Sequence, residues 1–377
     1  MAEKLILIIA GEASGDLNAA NLVKAIKENN PNIKISGIGG ELMRQAGVQT
    51  YFDIKDFAVM GLFDVLRKLP KFISLKNFIL KKIHETKPCA IIFVDFSGFN
   101  LRLAKAINNK IPTIYYVSPQ VWASRQGRVE TIRKYISKMI VLFKFEKDFY
   151  KQHGMDVDFV GHPLLDIVKP AMTPNEFIQK FNLLKDKKRI LLMPGSRKSE
   201  IANILPVMAK TCFLIKKEFP QAEFIIAKPK NLELKLYIDI LKKTKMDFKI
   251  IEGFNYDCLN VADFCLVASG TATMETAIMQ KPFVIIYKMG ALDYLLYKPQ
   301  VKVPFIGMIN IVAGKKIIPE FIQNNAEPKP IADYVVRALN NPAMLTQIAQ
   351  NLAGVKTLLG SPGAGKKAAK IILDFIS

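Results

Sequence analysis

Two α/β domains, each a doubly wound parallel sheet with helices on both faces, are what this 377-residue sequence predicts. Three observations carry that expectation. Short apolar runs rich in β-branched and aromatic residues alternate with amphipathic stretches along the whole chain. Such alternation implies parallel strands, because a parallel pair needs a long crossover and the usual crossover is a helix. A chain of this length, 50% hydrophobic, is also long enough for two cores and too apolar to stay disordered.

The first series of buried strands reads "KLILIIA" (4–10), "KISGIGG" (34–40), "CAIIFVD" (89–95), "TIYYVS" (113–118), "MIVLF" (139–143) and "DFVGH" (158–162). Helical stretches such as "DLNAANLVKAIKENN" (16–30) and "NLRLAKAINNK" (100–110) lie between them. The N-terminus opens as a signal peptide would, with Lys4 before an apolar run. That run is short and ends in acidic, glycine-rich sequence, so a buried strand is the better reading. Pro163, Pro170 and Pro174 bracket a break, after which strands are expected at 189–195, 222–228, 247–251, 263–269 and 282–288. The predicted domains are 1–168 and 169–355, with a helical tail, 356–377, packing back on the first.

The formal charge is +21, shared as +9 over residues 1–165 and +12 over the rest. A basic chain suits nucleic acid, anionic lipid or phosphorylated substrates, and charge alone does not choose. No apolar run reaches the roughly 18 residues that span a bilayer. Cys89, Cys212, Cys258 and Cys265 are scattered among apolar neighbours, which predicts reduced core thiols in a cytosolic protein with no metal. One stretch is unusual: "FAVMGLFDVLRKLPKFISLKNFILKK" (57–82) carries six Lys/Arg against one acid, interleaved with aromatic and aliphatic residues. Such a stretch fits RNA or a membrane surface alike; in a chain with acylated substrates it would dock on anionic lipid, with Phe63, Leu66, Arg67, Lys68, Leu69, Lys71 and Phe72 as contact residues.

Ligands of open parallel sheets bind beyond the carboxyl ends of the strands, so the loops there carry the chemistry. "GEASGD" (11–16) follows the first strand, and Gly11, Ser14 and Asp16 can frame or cap a helix start. "VDFSGFN" (94–100) puts Asp95 at a strand end, as a helix cap or as a general base. "YVSPQVWASRQGR" (116–128) holds the single tryptophan, Trp122, beside Arg125 and Arg128 and reads as a binding loop. In the second domain "PGSRKSE" (194–200) offers free amides and the phosphate-binding fork of Arg197. "SGTATMETA" (269–277) places Ser269, Gly270, Thr271 and Thr273 at a helix start, with Glu275 suited to ribose hydroxyls. Together the two loops predict a nucleotide diphosphate site. "GSPGAGKK" (360–367) mimics a P-loop, but it follows a helical stretch and has Lys367 where Ser or Thr should be.

"GEASGD", "AVMG", "VDFSGFN", "YVSPQVWASR", "FVGHP", "PGSR", "ASGTATMET" and "PEFIQ" occur in this order along almost the whole chain. The set resembles the lipid-A-disaccharide synthase family, inverting glycosyltransferases of the two-Rossmann-domain (GT-B) class, whose domains face a central cleft. The resemblance implies that UDP-2,3-diacylglucosamine and 2,3-diacylglucosamine 1-phosphate give a β(1→6) disaccharide 1-phosphate and UDP. It implies no metal, no cofactor and no nucleic-acid partner, and a peripheral place on the cytoplasmic face of a Gram-negative inner membrane. By motif, Asp95 is the general base, and Gly11, Ser14, Asp16, Trp122 and Arg125 serve the acceptor. Arg197, Ser269, Gly270, Thr271, Thr273 and Glu275 hold the donor, with Asn310 and Gln323 matched through "MIN" and "PEFIQ". One departure is Trp122-Ala123-Ser124, where the family commonly reads Trp-Ala-Trp. Competing readings are a GT-B enzyme with another acceptor, a nucleotide-sugar epimerase and a basic RNA-binding protein. The last predicts basic-aromatic strands or an RNA module, and the sequence has neither.

Overall fold

The computed structural model of the chain describes residues 4–56, 62–244, 246–290, 294 and 303–377, with the side chains of residues 56 and 62–68 outside the description. The chain divides into two compact units, Met1–Pro163 with Leu359–Ser377, and Leu164–Leu358.

In unit 1 the strands are β1 (Leu5–Ala10), β2 (Lys34–Gly39), β3 (Gln49–Asp53), β4 (Ala90–Val94), β5 (Thr113–Tyr116), β6 (Lys138–Val141) and β7 (Asp158–Phe159). They form one parallel sheet in the order β3-β2-β1-β4-β5-β6-β7. The order reverses between β1 and β4, and that switch point opens a crevice at the strands' carboxyl ends. β4 is buried from end to end and β1 nearly so, because helices cover both faces and leave no solvent side on which to alternate. The helices that bear on the site are α1 (Ala13–Asn29), α2 (Glu41–Gln45), α3 (Leu62–Thr86), α4 (Ser97–Ile107), α5 (Arg128–Tyr135) and α6 (Lys144–Gln152).

The last helix, Ala364–Phe375, packs against α1. The chain re-enters unit 1 through a close backbone crossing: the His162 N–H donates to the Leu359 carbonyl at 2.9 Å. A Cβ on Gly161, at φ +89°, would lie 3.0 Å from the Ser361 carbonyl oxygen, so only glycine fits there. The P-loop-like segment is thus the start of this helix. It follows the helix Pro342–Leu358, and Lys367 is tied to the Ser361 hydroxyl at 2.6 Å.

Unit 2 holds β8 (Arg189–Met193), β9 (Glu223–Lys228), β10 (Lys249–Glu252), β11 (Phe264–Ala268), β12 (Phe283–Tyr287) and β13 (Glu320–Ile322), all parallel, in the order β10-β9-β8-β11-β12-β13. Its switch point lies between β8 and β11. Edge strands β3 and β13 lie outside the strands expected from the sequence.

α3 corrects part of the lipid-surface expectation. Leu75, Ile79 and Ile83 recur at helical spacing and are buried against the sheet. Phe72 is half-buried, its ring 6.0 Å from that of Phe96 and 6.4 Å from that of Phe99, so it packs inward. Phe78 likewise meets Tyr51 and Phe52 edge-on. Leu69 (40% exposed), Ile73 (51%) and Lys71 do face solvent. Phe63, Leu66, Arg67 and Lys68 lie outside the described side chains.

Candidate functional site

At the unit 1 switch point Ala10 and Val94 are register partners, so the loops that follow β1 and β4 emerge side by side. Asp95 is half-buried there, at φ +52°, and Phe96 follows at φ +50°. Two successive non-glycine residues in the left-handed region are costly and persist only where the surroundings hold them. The Tyr115 hydroxyl (2.5 Å) and the Asn100 side-chain amide (2.9 Å) both donate to the Asp95 carbonyl and pin it. The Asp95 carboxylate accepts from the Phe96 N–H at 3.0 Å and from the Ser14 hydroxyl at 3.3 Å. It does not cap α4, whose cap position is Phe96 with no side-chain bond. Burial raises its pKa and the two hydrogen bonds oppose the rise. The outcome is a poised carboxylate, more basic than a solvated one and offered on a rigid turn.

The other acceptor-side residues divide. Ser14 is exposed and touches the Asp95 carboxylate. A Cβ on Gly11 would lie 2.3 Å from the Phe96 ring, so this glycine makes room for Phe96 rather than for a ligand. Asp16 is buried and spends its carboxylate on the Gly40, Leu42 and Met43 N–H groups, at 2.7, 3.1 and 3.2 Å. It caps the start of α2, which corrects its expected ligand role. Trp122 is buried, donates its indole N–H to Glu146 at 3.2 Å and meets Phe145 edge-on, so it braces the loop from within. Arg125 is exposed, at φ +56°.

In unit 2 the loops after β8 and β11 also emerge as neighbours, Val267 being the register partner of Met193. The first differs from the expectation of free amides. Glu200 Oε2 accepts from the Ser196 and Arg197 N–H groups at 2.8 and 3.3 Å, and Oε1 pairs with the Arg197 guanidinium at 2.9 Å. A Cβ on Gly195 would lie 2.5 Å from that carboxylate. The anion site of this turn is thus filled from within, and the exposed Arg197 guanidinium is what remains for a ligand.

The second loop is open. Gly270, at φ +150°, caps the helix Thr271–Ile278, with nothing within 4 Å of where its Cβ would stand. The Ser269 N–H is spent on Ile286, and the buried Thr273 hydroxyl is spent on the Gly270 carbonyl at 2.8 Å. Among the described residues, the Thr271 and Ala272 N–H groups have no acceptor. One turn on, Glu275 is half-buried, its pKa raised by burial, and accepts from the Tyr256 hydroxyl at 3.0 Å.

Gln323 clamps the backbone of Met289 through both ends of its amide, at 3.0 and 3.4 Å. Asn310 is fully buried, and its side chain bonds Ile317, Ile318 and Glu320 four times at 2.8–3.0 Å. Four bonds exhaust an asparagine amide, so Asn310 holds the segment before β13 and is closed to a ligand. Among the described residues no three His, Cys, Asp or Glu side chains converge as a metal site. No described helix is long and apolar enough to cross a membrane.

The family model described as Lipid-A-disaccharide synthetase matches residues 6–368. A lipid-A-disaccharide synthase of Syntrophus aciditrophicus is 41% identical over 100% of this chain and 99% of its own length. One from Coxiella burnetii is 38% identical over 100% of both. The chain belongs to the lipid-A-disaccharide synthase family.

Solved structures agree on the fold. A UDP-GlcNAc 2-epimerase from Neisseria meningitidis superposes with a TM-score of 0.66 at 13% identity, covering 98% of this chain and 100% of its own. A calicheamicin glycosyltransferase gives 0.63 at 14% identity, covering 100% and 99%. This lipid-A-disaccharide synthase family member is therefore a glycosyltransferase of lipid A biosynthesis with the GT-B fold. In it, three side chains missed from the sequence shape the loops: Glu146 behind Trp122, Glu200 under Arg197 and Tyr256 on Glu275. Glu200 was findable, since a glutamate three residues after a cap position is a capping-box spacing. Glu146 and Tyr256 come from other helices, and no local pattern announces them.

Proposed function

We propose that the chain transfers the glucosaminyl unit of UDP-2,3-diacylglucosamine to the 6-hydroxyl of 2,3-diacylglucosamine 1-phosphate, with inversion. Asp95 takes the hydroxyl proton as the acceptor oxygen attacks the donor's anomeric carbon. The bond to the β-phosphate oxygen breaks, and UDP leaves with the electron pair. Ser14 orients the Asp95 carboxylate. Arg197 and the free Thr271 and Ala272 amides stabilise the departing diphosphate, and Glu275, steadied by Tyr256, binds the ribose. The partly buried Asp95, excluded from helix capping and held on a doubly left-handed turn, is the observation that carries this reading.

The exposed part of α3 — Leu69, Lys71 and Ile73 — is proposed to rest on anionic lipid at the cytoplasmic face of the inner membrane. Such a position gives the acceptor domain access to acylated substrates.

Incubation with both substrates and mass spectrometry of the products tests the reaction directly. Asp95→Asn should lower turnover by about 10²-fold or more, the usual scale for losing a general base, with UDP affinity retained. More than about a tenth of wild-type turnover would remove Asp95 from the mechanism.

A further inference from the structure

Asp95 is held more firmly by its backbone than by its carboxylate. One carboxylate oxygen accepts from the adjacent Phe96 N–H and the other from the hydroxyl of the exposed Ser14, at 3.3 Å. The Asp95 carbonyl, in contrast, accepts from two fully buried side chains, Tyr115 of β5 at 2.5 Å and Asn100 of α4 at 2.9 Å. The Asn100 amide also reaches the Ile9 carbonyl at 3.4 Å, so β1, the end of β4 and β5 are tied together at this one point. The ladder of α4 begins one residue later: the Phe96 carbonyl takes the Phe99 and Asn100 N–H groups. Packing asks only for an aromatic ring at position 115, where Phe93 lies 5.9 Å away. The hydroxyl adds a buried polar group, whose cost the bond to Asp95 offsets. Burial first, and the Asp95 charge second, push the Tyr115 hydroxyl well above its ordinary pKa, so it remains a donor. Two successive left-handed residues relax toward ordinary backbone unless something holds them, and these two donors hold the first.

We propose that Tyr115 and Asn100 are positioning residues for the transfer: by fixing the Asp95 carbonyl they aim its carboxylate, while neither acts on a reacting atom. This rests on Asp95 being the base, as proposed above, and extends that reading to the groups behind it. A rotation of the backbone that frees the carbonyl also swings the carboxylate on the same Cα. The carboxylate must stay within hydrogen-bond reach of the acceptor hydroxyl, and misplacement by about 1 Å costs up to about 10²-fold in rate. The long bond to an exposed Ser14 is a weak restraint on that motion, whereas the buried bonds to the carbonyl are strong ones.

Tyr115→Phe keeps the ring and removes only the hydroxyl. It should lower kcat by about 10-fold or more, with the acceptor KM and the UDP affinity within about 2-fold of wild type. The same change is then made in Asp95→Asn. A group that acts only through the base has nothing left to aim there, so the residual turnover should change by less than about 2-fold. An equal loss in both backgrounds overturns the proposal and makes Tyr115 a support of the fold. So does a kcat within about 2-fold of wild type, or a loss confined to KM. Failure of the base itself reads differently: Asp95→Asn alone would then keep more than about a tenth of wild-type turnover. A damaged Asp95→Asn beside an undamaged Tyr115→Phe sinks the positioning and leaves the base standing. Should Tyr115→Phe fail to fold, Asn100→Leu carries the same comparisons. It removes the other donor at similar size, together with a buried Oδ1 that has no partner among the described residues.

Discussion

Glu146 supports the loop between β5 and α5 through Trp122. It is buried, and its carboxylate accepts from the Trp122 indole and from the Leu142 and Phe143 N–H groups. Burial outweighs those bonds and pushes its pKa from 4.5 to about 7. The folded state therefore holds a proton between pH 4.5 and about 7 that the unfolded chain has released. Stability from this group is present at the low end of that window and lost as pH rises through about 7, by on the order of 3 kcal/mol in all. Thermal melts should show the wild-type Tm declining from pH 5 to 8 more steeply than that of Glu146→Gln, which cannot titrate. Parallel declines would show that Glu146 is ionised throughout. Side chains like this one defeat sequence reading. Asp16, in the first turn of α1, and Asn310, in the helix Met308–Ala313, were expected to meet ligands, yet their hydrogen bonds are spent within the protein, and the sequence does not record a partner's direction.

At the scale of elements, the two switch points set the chemistry, and they were legible because burial on both faces forces unbroken apolar runs. The edge strands were not. β3 (QTYFD) and β13 (EFI) are short, partly exposed and polar at their ends, so they lack the apolar signal of the central strands. The donor loops show a second limit: the sequence revealed two helix starts but not that Glu200 fills one of them. That difference gives a prediction. At the proposed donor site, Arg197→Ala would remove a phosphate ligand and leave the Glu200 carboxylate uncompensated beside the diphosphate. UDP affinity should drop by about 10- to 100-fold, the range for charged hydrogen bonds. Arg197→Ala/Glu200→Gln should recover part of the loss. Tyr256→Phe should weaken UDP by less than about 10-fold, since it removes one neutral donor from Glu275. Titration of UDP by calorimetry checks all three, and a double variant no better than the single would remove Glu200 from the donor site.

For the whole molecule the governing quantity is a charge of +21. On anionic vesicles its Coulomb attraction should weaken as the Debye length falls from about 10 Å at 0.1 M salt to about 3 Å at 1 M. Apolar burial does not weaken with salt. High salt should therefore release the protein in part, and detergent completely. Leu69→Ser/Ile73→Ser alters two side chains that already face solvent, so the fold should survive. Co-sedimentation should then fall at every salt concentration and the KM for acylated acceptor should rise, with UDP affinity fixed. Vesicle binding equal to wild type would remove α3 as the contact.

The division of the chain also orders its synthesis. Residues 164–358, all of unit 2, leave the ribosome before the helix Ala364–Phe375 that covers α1. At roughly 5–20 residues per second, that interval is on the order of 10–40 s. Throughout it unit 1 lacks its last helix, one flank of α1 bare, while unit 2 can already fold as a continuous stretch of chain. Asp95 is translated early, and the unit that carries it is completed last.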